Sequence, residues 1–205
     1  MVILSKQLLN KIYLKEGKSA SEIASQLNMP VSKINYWLIK YKIPKRSISE
    51  AVYRKLNPKG DPFQVKKLVD KTDFFLFGMG IGLYWGEGTK ANKYSVRLGN
   101  SDPLLIKTFI IFLNHVYGVD KKDLKFGLQI FSSMDKNKSL AYWTKCLCVN
   151  KDQFYKVIVT PSKKRGTYRV RNIEGVVTVY FNNVKLRNEI NDALKKTVED
   201  ISILY

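Results

Sequence analysis

Apolar and polar residues follow one another along this chain with two periods. Over residues 6–43 the apolar positions recur every three to four residues, the spacing of helices that bury one face. Leu8, Leu9, Ile12 and Tyr13 form the first such face, and Gly17 closes that helix. Ser19-Ala20-Ser21-Glu22 reads as a capping box, with Ser19 accepting from the Glu22 amide and Glu22 reaching back. It opens a short helix, SEIASQLN, with Ile23, Ala24 and Leu27 inward. A tight turn at Asn28-Met29-Pro30 leads to a third helix, VSKINYWLIKY, which buries Ile34, Trp37 and Leu38.

Ser49–Leu56 extends this first unit by one helix, and the prolines and glycine of NPKGDP then break the pattern. The expected layout is a first domain over 1–56, a linker over 57–72 and a second domain over 73–205. In the second part, short strand-like runs alternate with helical ones. Phe74–Glu87 reads as a helix and Tyr94–Leu98 as a strand. Asn100-Ser101-Asp102-Pro103 starts a helix through LLIKTFIIFLNHVYG, and LKFGLQIFS (124–132) is a strand. SLAYWTKCLCV is a helix with Trp143 in the core. TYRVRN and GVVTVYF make a hairpin, and NNVKLRNEINDALKK closes the chain as a helix. The fold class is therefore α+β.

Glycine changes the picture of the helix at 74–87. Gly78, Gly82 and Gly86 fall at i, i+4 and i+8, on one face. Each costs about 1 kcal/mol relative to Ala inside a helix. Close packing against another helix offsets that cost, the partner being either in the same chain or the same helix of a second copy. Glu87 comes at the C-terminal end, where the helix dipole disfavours a carboxylate, and Gly88 is expected as a left-handed cap. A cation such as Mg²⁺, held by one or two carboxylates and phosphate oxygens, explains a Glu in that place. GEGTKA is not a dinucleotide-binding loop, because no βαβ unit surrounds it, and the Gly-Lys-Ser/Thr order of a phosphate loop is absent.

Charge names the class of partner. There are 36 basic and 17 acidic residues, a net charge of +19. Residues 1–70 contribute 14 − 5 = +9 and the remainder 22 − 12 = +10, so the excess is not confined to a tail. Such a balance points to a polyanion, above all nucleic acid. Helix, short helix, turn and helix is the helix-turn-helix plan. Its third helix leaves Ser32, Lys33, Asn35, Tyr36 and Lys40 outward, able to donate to phosphates and base edges. Lys42, Lys45 and Arg46 form a basic exit from it. Two cysteines in a C-x-C pair, Cys146 and Cys148, and the single histidine, His115, provide neither a disulfide framework nor a zinc set. The longest apolar run, Phe74–Trp85, has 12 residues. A membrane span needs about 20, so a soluble, cytoplasmic protein is expected.

Residues 80–88, GIGLYWGEG, resemble the LAGLIDADG motif of homing endonucleases, and residues 6–43 resemble helix-turn-helix domains of site-specific recombinases and sigma-like regulators. Gly82-Leu83 match the motif's Gly-Leu, Gly86 its small residue, and Glu87-Gly88 its terminal Asp-Gly, while Trp85 replaces its first Asp. The resemblance implies an αββαββα domain whose sheet saddles double-stranded DNA. It also implies pairing through Gly78, Gly82 and Gly86, as a homodimer because one motif copy is present. A divalent metal, Mg²⁺, would be held by Glu87. Lys90, Arg97, Arg165, Arg169 and Arg171 join Ser32, Lys33, Asn35, Tyr36, Lys40, Lys45 and Arg46 as DNA contacts, and Lys163 or Lys164 would assist cleavage. The alternatives are a transcription regulator of the same fold without nuclease activity, and an RNA-binding or RNA-maturing protein.

Overall fold

A computed structural model describes residues 4–162 and 174–203 of the chain. The chain divides between Pro62 and Phe63 into two units, each with its own hydrophobic core.

In the first unit, α1 begins as an α-helix at Lys6–Leu9 and widens into a π-turn over Asn10–Lys15. Gly17 adopts φ +75°, the left-handed conformation that a helix-closing glycine supplies. The capping box that opens α2 (Ala20–Gln26) is formed: the Ser19 amide donates to Glu22 at 2.7 Å and the Glu22 amide to Ser19 Oγ at 3.1 Å. Residues 27–30 join α2 to α3 (Val31–Lys40), with Asn28 left-handed and the Met29 amide donating to the Ala24 carbonyl at 2.9 Å. Leu9, Ile12, Ile23, Ile34, Trp37 and Leu38 make the core. The last helix, α4 (Ile48–Leu56), buries none of its residues and leaves Ile48, Val52 and Leu56 exposed.

The second unit starts earlier than the residue pattern implies. Residues 63–70 are not free linker: the Gln64 and Lys66 amides donate to the carbonyls of Tyr117 and Val116, both at 2.8 Å. Lys66 Nζ lies 2.7 Å from buried Asp73, whose carboxylate also accepts from the Val69 amide at 2.9 Å and lies 2.7 Å from His115 Nε2. Helix α5 spans Lys71–Glu87, three residues more than expected, because Asp70 and Asp73 form a second capping box. It is followed by β1 (Val96–Asn100), α6 (Pro103–Tyr117), β2 (Lys125–Phe131) and α7 (Lys136–Leu147). β3 (Ile158–Thr160), β4 (Val176–Phe181) and α8 (Val184–Ser202) complete the unit. The strand expected at Tyr94–Leu98 starts two residues later. Asn92 Oδ1 holds the Tyr94 and Ser95 amides in a turn, each at 2.9 Å.

The sheet runs β1-β4-β2-β3, antiparallel except for the β2/β3 pair. Its inner face, including Leu98, Phe126, Leu128, Val177 and Val179, joins Tyr84, Phe109, Trp143 and Ile190 from the helices in one core. The class is α+β. Among the described residues the element order differs from αββαββα in three places, one being that three strands rather than two lie between α6 and α8. Only one strand separates α5 from α6. A single antiparallel bridge, Gly88 to Leu98, stands where a first strand is expected. Helix α7 is interposed between β2 and β3. The TYRVRN arm of the expected hairpin lies outside the described residues.

Candidate nucleic-acid interface

Two faces that their own cores leave uncovered collect the predicted contact residues, one in each unit. In the first unit, Ile34, Trp37 and Leu38 of α3 point into the core. The helical period then places Ser32, Tyr36 and Ile39 on the opposite side, with Asn35 and Lys40 flanking them. Tyr36 is 55% and Ile39 66% exposed. Lys40 Nζ sits 4.8 Å from the Trp37 ring centroid and 5.7 Å from that of Tyr36, which restrains a cation on this face. Pro30 leaves the start of α3 without a side-chain cap, and Lys42 and Lys45 are exposed beyond its end.

Arg46 does not belong to that set. Its guanidinium donates to the carbonyls of Gly17 at 2.8 Å, Lys18 at 3.2 Å and Tyr13, and lies 4.3 Å from the Tyr13 ring centroid. Its own amide donates to the Tyr13 hydroxyl at 3.0 Å. Arg46 therefore ties the exit of α3 back to the end of α1.

In the second unit, the outer face of the sheet carries a cross-strand row of Arg97, Tyr180 and Lys125, set by the register of β1, β4 and β2. The Arg97 guanidinium stacks 5.0 Å from the Tyr180 ring centroid, and its Nε donates to Ser95 Oγ at 2.7 Å. Gln129 and Thr160 extend the polar surface through a 3.1 Å hydrogen bond. The expected basic strand edge, Lys163, Lys164, Arg165, Arg169 and Arg171, lies outside the described residues.

At the end of α5, Gly88 is not left-handed: its φ is −72° and ψ 140°, because the chain passes at once into the bridge with Leu98. Glycine is needed there for space, since a Cβ would lie 2.3 Å from the Tyr84 carbonyl oxygen. Glu87 is exposed and makes no ion pair among the described residues. Lys90 makes no ion pair with it among the described residues and donates to the Trp85 carbonyl. Arg187 of α8, which the residue pattern does not single out, fixes the following loop by donating to the carbonyls of Asn92 at 3.0 Å and Lys90 at 2.9 Å. Among the described residues no three His, Cys, Asp or Glu side chains are grouped to hold a metal. Glu87 is the residue that would hold the implied Mg²⁺, with phosphate oxygens or the Glu87 of a second copy completing its shell.

Gly78, Gly82 and Gly86 lie on an exposed face of α5, and a Cβ at each meets nothing within 4 Å. Phe75, Met79 and Trp85 flank them at 64%, 42% and 54% exposure. The described residues therefore place no intrachain helix against the stripe. Gly80, on the other side, packs against α6. No helix among the described residues is long and apolar enough to cross a membrane. Comparison with protein-family models, with curated proteins and with solved structures finds no match to this chain.

Proposed function

We propose that this chain is a site-specific double-stranded DNA-binding protein that acts as a homodimer. The observation that carries the reading is the outer face of α3. Ser32, Asn35, Tyr36 and Lys40 are set there by helical period and left uncovered by the core. A major groove admits one helix, and base edges are read by side chains of these types. The Arg97–Tyr180–Lys125 row supplies a second cationic surface, and residues 1–62, with 12 − 4 = +8, are basic in their own right. The uncovered glycine face of α5, flanked by three large apolar side chains, supports pairing with the same helix of a second copy.

A second reading adds DNA cleavage, as a LAGLIDADG-type endonuclease; the first, without it, is a regulator of the same architecture. Cleavage is favoured by Glu87, exposed and without an ion pair among the described residues, at the end of the helix proposed to pair. Bound Mg²⁺ would supply charge stabilisation and an activated water at the phosphodiester. Glu87 would hold it, and Lys90 and Arg187 would fix the loop beside it.

The experiment is selection of bound sites from a random duplex pool, then a cleavage assay on the selected site with Mg²⁺. Wild type and Glu87→Gln are compared. Cutting by wild type that Glu87→Gln loses establishes the nuclease. Tight selective binding without cutting by either leaves the regulator. Absence of any sequence selection overturns site-specific binding.

A further inference from the structure

Ile39 is the feature of the α3 face that polar recognition does not absorb. It is two-thirds exposed, and it lies four residues after Asn35, three after Tyr36 and seven after Ser32, so all four share one side of the helix. The face is thus a ring of hydrogen-bonding groups around one aliphatic side chain. In a major groove, an aliphatic side chain pressed on the edge of guanine, adenine or cytosine strips water from N7, O6, N6 or N4 and returns no hydrogen bond. The major-groove group that it satisfies is the C5-methyl of thymine. Asn35, one turn earlier, has the side chain that pairs bidentately with adenine N6 and N7.

We propose that Ile39 is a specificity-determining residue that reads a thymine methyl group in the bound duplex, with Asn35 reading adenine beside it. The target is then a site containing adjacent A·T pairs. This inference rests on the reading of α3 as the DNA-binding helix. Positive charge on the same unit, from Lys33, Lys40, Lys42 and Lys45, gives the polyanion as the occupant of the face.

The test starts from the duplex selected by the wild-type full-length chain. Each thymine is replaced in turn by deoxyuridine, which removes the methyl and keeps the base pair. One replacement is expected to weaken wild-type binding about four-fold, the equivalent of one buried methyl-sized group. Ile39→Ala is expected to bind the thymine duplex with that same loss and to be indifferent to deoxyuridine at that position. Ile39 lies outside the core, so the variant keeps the fold. Replacing the same T·A pair by 5-methyl-C·G should be tolerated better than by C·G. Selective binding that no deoxyuridine replacement alters, or that Ile39→Ala alters equally with and without the methyl, overturns the inference and leaves DNA binding standing. Binding without sequence selection overturns it too. Failure to bind duplex DNA at all removes both.

Discussion

The backbone of α5 at Gly80 approaches the Phe112 ring so closely that a Cβ would stand 2.0 Å from Phe112 Cγ. Phe112 is fully buried, with the rings of Phe109 and Tyr117 centred 5.7 and 5.3 Å away, so it has nowhere to retreat. Gly80→Ala is expected to destabilise the second unit toward the upper end of the ~1–3 kcal/mol typical of overpacking. Thermal unfolding reads this directly, and an unchanged midpoint contradicts the geometry.

Gly82, two residues on, has the opposite expectation. Among the described residues nothing lies within 4 Å of a Cβ there. Gly82→Ala should stabilise the isolated protomer by about 1 kcal/mol through helix propensity. Gly82→Leu is accommodated by the protomer but should abolish the proposed homodimer. Light scattering that finds the same dimer mass for wild type and Gly82→Leu would sink pairing through this face.

Arg46 is expected to act on stability rather than on DNA affinity. Losing its fork of hydrogen bonds to carbonyls of α1 and the following turn in Arg46→Met should cost roughly 1.5–3 kcal/mol, the range for bonds from a charged donor. Hydrogen exchange of the α2 and α3 amides in the full chain measures this. The slope of log K against log salt for DNA should fall with Lys45→Ala and stay unchanged with Arg46→Met at temperatures where both are folded.

Asp73 makes stability depend on acidity. The Lys66 ammonium beside it, then His115 and the Val69 amide, hold its carboxyl well below the usual carboxylate range, against the opposing effect of burial. A depressed folded-state value means that the stabilisation is complete above the unfolded value of about 3.9. It is lost as pH falls from there through the folded value. Denaturant midpoints measured between about pH 5 and pH 2 should drop steeply for wild type and more shallowly for Asp73→Asn, which also starts lower.

The sheet row offers a separate test of the second surface. Arg97→Ala and Lys125→Ala, each removing one phosphate contact, should weaken DNA binding across sequences and reduce the salt slope by about one apiece. Retention of the full slope in both variants would assign DNA binding to the first unit alone.

What was legible in the residue pattern was local. The Ser19/Glu22 box, the inward Ile34, Trp37 and Leu38, the Asp102-Pro103 helix start and the buried Trp143 all follow from spacing within one element. The D-x-x-D box that starts α5 at Lys71 carried an equally local signal, in carboxylates instead of Ser and Glu. The misreadings involve partners that spacing within one element does not show. Gly80, on which the stripe is silent, is a glycine because of Phe112, and Gly88 is a glycine because of the Tyr84 carbonyl and the bridge to Leu98, not as a left-handed cap. Arg46 looks like a DNA contact until the carbonyls of residues 13, 17 and 18 surround it. The stretch 63–70, half apolar but with no clear period, gives no hint that α6 carbonyls wait for its amides.

Helix α4 has a consequence for how the molecule comes apart. It has nine residues, caps its start with Ser47 and buries no side chain. Helices shorter than about 12–15 residues are marginal on their own, and with no buried side chain α4 gains little of the tertiary protection that raises opening free energies elsewhere. Its backbone should therefore open first, at a cost far below that of unfolding either core. A protease acting on native chain would then cut first within α4, between the segments that build the two cores.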